Sequence, residues 1–332
     1  MKAAPPDVEF FLIAEQGILE PQAVLLCQSI RQFTGAYSRS PISVISPRRK
    51  CRPCRETSQK LARLDVEYLQ WNLESPCPTY GTSFRVLAAA RMEKRSGAPI
   101  LIQLDSDTIF LREPDFSLPG VDAAARPVDV KGMCTEGAGD PFDPYWRALC
   151  QMLSVNYESI PRVTTTVDKR VVLANYNGGL VAVRREAGLF RKTEEFFLRL
   201  VAADHRPWAN SGNLVKSGTG LVDRVGSEFW GTSQAVFSLA VTALGGAVQI
   251  LSNSYNVPLH SFASLPAMES TPIHVHYHWL CSEGECAGNP MLDGRLSLPP
   301  EVKSWLEGVL PLQIPKISAL EKLMRHKFLL VS

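Results

Sequence analysis

The chain has 332 residues, 45% of them hydrophobic and 20% charged, with a formal net charge of +2. The length suits one large domain or a domain and a half with a real core, and the composition excludes a disordered or fibrous chain. The near-neutral balance lacks the basic excess of a nucleic-acid binder, so no nucleic-acid partner is expected; Arg48, Arg49, Lys50, Arg52 and Arg55 read as a solvated loop.

Val8 to Ala14 is a short apolar run that stops at Glu15, and Pro21 opens a helix in which Ala23, Leu26, Cys27, Ile30 and Phe33 recur at helical spacing. Ile42 to Ile45, between prolines, reads as a second strand. A helix around Thr57 to Leu64 leads to a third strand at Val66 to Trp71. This β-α-β alternation predicts an α/β fold on a parallel sheet. After Pro76-Cys77-Pro78, Thr82 or Ser83 can cap a helix running to about Ser96, with Gly97 as terminator and Phe84, Leu87 and Ala88 toward the sheet.

That helix leads into Pro99 to Leu104 and then Asp105-Ser106-Asp107-Thr108-Ile109-Phe110. An apolar run ending in two carboxylates one residue apart reads as a buried strand that delivers acids to the carboxyl edge of the sheet, where ligands of open α/β folds bind. On a strand Asp105 and Asp107 share a side, so both can face one cation while Ser106 points away.

Beyond Pro114, residues 129–172 form a loose stretch around one helix, Tyr145 to Leu153; connections this long tend to be functional. A strand over Asn175 to Val183 and a helix over Leu189 to Ala202 follow. A second loose stretch, 204–230, precedes a helix over Thr232 to Leu244 and a strand over Val248 to Leu251. The last strand is Ile273 to Trp279, whose His274, His276 and His278 would share one face. The C-terminal segment, with Ile317, Leu320, Met324 and Phe328 among Lys316, Lys322, Arg325 and Lys327, reads as an amphipathic basic helix. Core packing is its plain use and peripheral membrane contact the other.

No apolar run approaches the ~18 residues that span a bilayer, and Met1 to Pro6 lacks the apolar core of a signal peptide, so a cytoplasmic location is expected. Eight cysteines are too few here for a disulfide scaffold. Cys51-Arg52-Pro53-Cys54 has redox-dithiol spacing, and Cys281 and Cys286 could join it in a zinc site only if the fold gathered them; an exposed loop for the first pair, and a late disulfide or free thiols for the second, are the simpler expectations.

Two carboxylates and an imidazole with open positions suit Mn2+, or Mg2+ less well, completed by phosphate oxygens. Such an ion neutralises the charge that develops on a departing nucleotide diphosphate.

Gln103 to Phe110, the helix start Ser83-Phe84-Arg85, Asn177-Gly178-Gly179, Trp230-Gly231-Thr232-Ser233-Gln234 and a late His276-Tyr277, in this order over roughly residues 8–280, resemble the GT-A fold glycosyltransferases, nearest the glycogenin and lipopolysaccharide galactosyltransferase group. The resemblance implies a Rossmann-like, mostly parallel mixed sheet with helices on both faces. It implies a domain over residues 1–285, with a donor-nucleotide half at about 7–115 and an acceptor and metal half at about 116–285; residues 286–332 form a helical extension. It also implies a nucleotide-diphosphate sugar donor, most simply a UDP-sugar, and a glycan, lipid or protein hydroxyl acceptor.

Asp105 would contact the ribose and the metal, Asp107 would ligate the metal, and His276 would be the third ligand, with His278 as its alternative. Ala14, Glu15, Arg85 and Ser106 would hold the nucleotide, and Asn177 and Gly178 would shape the sugar pocket by letting backbone approach the donor. Gln234 matches the glutamine beside the reacting sugar. Such enzymes often carry an acid just before it, where this chain has Ser233, which leaves Asp223 and Glu228 as substitute catalytic carboxylates. The resemblance leans to retention of anomeric configuration, whereas a base such as Glu228 would favour inversion. A nucleotidyltransferase or sugar-nucleotide hydrolase and an inactive sugar-nucleotide or glycan binder are the rival readings.

Overall fold

The structure is a computed structural model that describes residues 7–212, 214–215, 222–265, 268, 270–317 and 321. The first half alternates as the apolar runs require: β1 (Val8–Ile13), α1 (Leu19–Phe33), β2 (Ile42–Ser46), α2 (Arg55–Arg63), β3 (Glu67–Gln70), α3 (Thr82–Arg95), β4 (Ile100–Leu104) and the short β5 (Thr108–Phe110). The rest comprises β6 (Ala123–Pro127), α4 (Asp143–Leu153), β7 (Arg162–Thr164), β8 (Val171–Leu173), β9 (Tyr176–Arg184), α5 (Leu189–Ala202), α6 (Arg224–Glu228), α7 (Thr232–Ala243), β10 (Val248–Ile250), β11 (Val257–Pro258), β12 (His274–His276) and α8 (Pro300–Val309).

Among the described residues the main sheet has seven strands in the order β10-β6-β9-β4-β1-β2-β3. All neighbours run parallel except β9, which is antiparallel to both β4 and β6. Strand side chains alternate between two cores. Phe11, Ile45, Leu101 and Val181 pack with α3, α4, α5 and α7 on one face, while Phe10, Leu12, Val44 and Ile102 pack with α1 and Leu61 of α2 on the other. Burial on both faces is why β1 and β4 are apolar runs rather than alternating ones.

A second sheet, β11-β12-β5, carries the site. Its β12 runs antiparallel to β5, with His276 opposite Thr108 and His274 opposite Phe110. Behind it a third core joins Leu25 of α1, Ile109, Val275 and Tyr277 to Met291, Leu296, Val302 and Leu306 around α8. The region after residue 286 thus builds on the small sheet. The expected basic helix beyond it lies, apart from Lys316, Ile317 and Glu321, outside the described residues. Among the described residues no helix is long and apolar enough to cross a membrane.

Several local expectations are corrected. Neither Thr82 nor Ser83 caps α3, whose N-cap is Gly81; the Ser83 hydroxyl instead donates to the Cys77 carbonyl at 3.1 Å and closes the proline turn. Ser96 follows α3 in an extended conformation and Gly97 is not left-handed, so the helix ends without a glycine cap. The last strand covers only His274–His276, because His278 has φ +55°, which breaks the run of same-face histidines. β6 and the β7–β8 hairpin were not expected.

Candidate metal and donor site

The carboxyl ends of β1 and β4 open on a cleft of about 830 Å³. Asp105, Ser106 and Asp107 line it from the turn between β4 and β5, so their convergence arises outside the strands rather than from strand alternation. The turn is pinned on both sides. The Asp105 N–H donates to the Gly179 carbonyl at 3.0 Å, the Thr108 hydroxyl donates to the Asp105 carbonyl at 2.7 Å, and the Tyr277 N–H donates to the Asp107 carbonyl at 3.0 Å. Ser106 points toward α1, its hydroxyl 3.3 Å from Gln22 Oε1.

The β5–β12 register brings His276 Nε2 within 3.1 Å of Asp107 Oδ1. One ligand atom from each of Asp105, Asp107 and His276 lies within 4.8 Å of the other two, the one such group of His, Cys, Asp and Glu among the described residues. Burial alone would raise the Asp107 carboxyl, but His276 outweighs it and holds Asp107 well below the ordinary carboxylate range. Burial would likewise depress His276, yet Asp107, with Asp105 and Asp129 behind it, lifts it above the usual imidazole range.

The donor set fits a divalent cation: two carboxylates and an imidazole whose remaining nitrogen, Nδ1, is buried without a hydrogen-bond partner. A cation held there would supply charge neutralisation for a leaving diphosphate. The chain's own residues position it. Arg85 forms an ion pair with Asp105 and donates to the Gly178 carbonyl at 3.3 Å, so one carboxylate is oriented from α3 and the other from β12.

His276 rather than His278 joins the cluster. The His278 ring stacks on His276, with centroids 3.9 Å apart and planes at 6°, while its Nδ1 lies 3.0 Å from His260 Nδ1. Burial first, and then His276, push His278 below its usual pKa. His274 is fully buried against Phe110, its centroid 4.6 Å away.

Asn177 and Gln234 line the same cleft, with Gln103, Tyr80 and Ser233. Asn177 is held by both ends of its amide, donating to Asp129 at 2.9 Å and accepting the Gly179 N–H at 2.9 Å. Gly178 borders a smaller cavity of about 30 Å³ behind the cleft, shared with Arg85, Gln103 and Gln234. The glycines make room for side chains of this chain: a Cβ on Gly178 would stand 2.5 Å from the Arg85 guanidinium, and one on Gly179 would stand 2.7 Å from His276 Nδ1.

Besides Gly178, four predicted residues are not brought to the cleft lining. Ala14 is fully buried and Glu15 is paired with Arg48, so Ile13 and Ile18 form that wall instead. Asp223 caps α6 by accepting the Gly226 N–H at 2.8 Å. Glu228 is clamped by Arg206 at 2.7 Å and Arg224 at 3.1 Å. Neither expected substitute for an acid at Ser233 is therefore in the cleft lining; the Tyr80 hydroxyl donates to Ser233 Oγ at 3.2 Å.

The cysteine readings also resolve. Cys54 is a buried thiol hydrogen-bonded with Thr57, and burial raises its pKa, the reverse of a redox nucleophile. Cys281 and Cys286 are free thiols, and neither belongs to the metal-capable group.

Sequence reading missed Gln103, Tyr80, Asp129 and Asn256. Only Gln103 carried a signal, as the one polar residue within an apolar strand, two positions before Asp105.

No curated protein matches the chain. Among solved structures, galactosyltransferase LgtC in complex with donor and acceptor sugar analogs is 10% identical, with 93% of this chain and 98% of that chain covered and a TM-score of 0.50. An active-site mutant of LgtC is 12% identical over 93% of this chain and 98% of that chain (TM-score 0.48). Apo mouse xyloside xylosyltransferase 1 is 13% identical over 82% of this chain and 98% of that chain (TM-score 0.45). At 10% identity the first likeness speaks for the fold, which is GT-A. Residues 10–210 match the Rhodobacterales glycosyltransferase domain, and the chain belongs to that glycosyltransferase family.

Proposed function

We propose that the protein is a metal-dependent hexosyltransferase that moves a sugar from a nucleotide diphosphate, a UDP-sugar in the simplest case, to a hydroxyl of a glycan, lipid or protein. The observation that carries this reading is the convergence of Asp105, Asp107 and His276 within 4.8 Å at the edge of an 830 Å³ cleft. Asp105, Asp107 and His276 would hold Mn2+, or Mg2+ in its place. Residues of about 7–115 would hold the nucleotide, and residues of about 116–285 would complete the metal site and hold the acceptor. Gln234, beside Arg85 and Ser233, is the candidate next to the reacting carbon. Glu228, the base that would have favoured inversion, is held by two arginines, which supports the reading of retention.

A catalytically silent sugar-nucleotide binder is the second reading, and the serine at position 233 favours it. A thermal-shift series with UDP- and GDP-sugars, with and without Mn2+, tests the donor site, because a ligand that binds only the folded chain raises its unfolding temperature. A metal-dependent shift is expected with at least one donor, and its absence with all of them sinks the reading. Release of nucleotide diphosphate in the presence of a candidate acceptor separates enzyme from silent binder.

A further inference from the structure

We propose that Asn256 is a positioning residue for His276: its carboxamide oxygen accepts the Nδ1–H of the imidazole and thereby turns Nε2 toward the two carboxylates. The inference rests on reading the cleft as a metal site. Two buried polar atoms lack partners at the same place, Asn256 Oδ1 and His276 Nδ1. Both border the empty side of Gly179, where a Cβ would stand 2.5 Å from the first and 2.7 Å from the second; in this structure they are neighbours without a hydrogen bond, and a small turn of either side chain would make one. One is an obligate acceptor. The other becomes a donor whenever Nε2 is the coordinating nitrogen, since a neutral imidazole carries its proton on the opposite atom.

The surroundings hold Asn256 for this task. It is 1% exposed and left-handed, with φ +46°, a conformation that asparagine tolerates better than other side-chain-bearing residues. Arg126, itself buried, anchors its backbone by donating to the Tyr255 carbonyl at 2.8 Å and the Asn256 carbonyl at 3.4 Å. Metal-ligating histidines commonly donate their second N–H to such an oxygen, which fixes both the ring orientation and the tautomer. The lack of a side chain at Gly179 keeps that path open.

The test uses Mn2+ alone, titrated into the full chain by calorimetry. Asn256→Gly keeps the backbone conformation and removes the acceptor, whereas Asn256→Asp keeps the acceptor. Mn2+ affinity is expected to fall about 10- to 100-fold in the glycine variant and to stay within a few-fold of wild type in the aspartate variant. In the metal-free protein, 1H–15N spectra of the histidines should show a hydrogen-bonded proton on His276 Nδ1 in wild type and Asn256→Asp, and lose it in Asn256→Gly. Equal Mn2+ affinity in wild type and Asn256→Gly overturns the proposal and leaves the metal site standing. A wild-type chain that binds no Mn2+ overturns the metal reading and this inference with it.

Discussion

Arg85 and Asp105 form an ion pair at the floor of the cleft, and the space that the guanidinium occupies is the space a side chain at position 178 would need. Charge-assisted pairs of this kind orient both partners. The glycine, the arginine and the first aspartate therefore act as one unit.

Gly178→Ala tests that unit. Its Cβ would stand 2.5 Å from Arg85 Nη2, so the guanidinium must shift, which disturbs its pairing with Asp105. Overpacking of this kind costs about 1–3 kcal/mol, to be read from urea denaturation. The thermal shift produced by UDP with Mn2+ is expected to shrink. An unchanged shift would show that Arg85 has no part in holding the donor.

Asp107→Ala removes one proposed metal ligand and leaves His276 without its 3.1 Å partner. Mn2+ affinity is expected to fall by at least about a hundredfold, more than a supporting residue costs. Nucleotide binding should lose its metal dependence, as measured by calorimetry with and without Mn2+. Undiminished metal-dependent binding refutes the ligand assignment.

Gln234→Ala separates binding from chemistry. The side chain borders both cavities without belonging to the metal cluster. Transfer, measured as kcat/KM, should drop by about 10- to 1000-fold if the amide stabilises the reacting sugar, while Mn2+ binding stays at the wild-type level. Parallel loss of metal binding would assign Gln234 a structural role instead.

Glu228 makes a pH prediction. Arg206, and with it Arg224, hold its folded-state pKa below the ordinary glutamate value. The carboxylate thus contributes stability above the unfolded pKa of about 4.3 and loses it as pH falls toward the folded value. Glu228→Gln should be less stable than wild type near pH 7, and the gap in thermal midpoint should narrow below about pH 4. A gap that is constant with pH would show that the ion pairs contribute nothing.

The first hundred residues were legible because β1, β2 and β4 are buried on both faces and their apolar runs are bounded by prolines and acids. β6 was not, because Ala123-Ala124-Ala125 has no intrinsic strand preference and is extended only by its pairing with β9 and β10. The direction of β9 was equally hidden, since alternation reads the same either way along a strand. At the site, Asp105, Asp107 and His276 stood out by residue type and spacing. Glu228 misled for the same reason: a carboxylate near Gln234 in the chain looks catalytic until Arg206, 22 positions away, is seen to hold it. Asn256 and Asp129 carry no local pattern at all, because their roles depend on the neighbours that folding supplies.

The pairing of β12 with β5 gives the candidate metal-binding strand a tolerance to one kind of slip. A slip of one residue in most half-buried strands turns every side chain to the wrong face, and a slip of two replaces each residue by another of unrelated chemistry. Here the two positions flanking His276 at that spacing are His274 and His278. A two-residue slip that carried His274 into the register of His276 would still place an imidazole opposite Thr108, whereas His278, left-handed and outside the strand, is not an equivalent replacement. If His276 is the third ligand, His274 is its one spare on the same strand face, so a change in loop length that shifts the strand this way should weaken metal binding rather than abolish it.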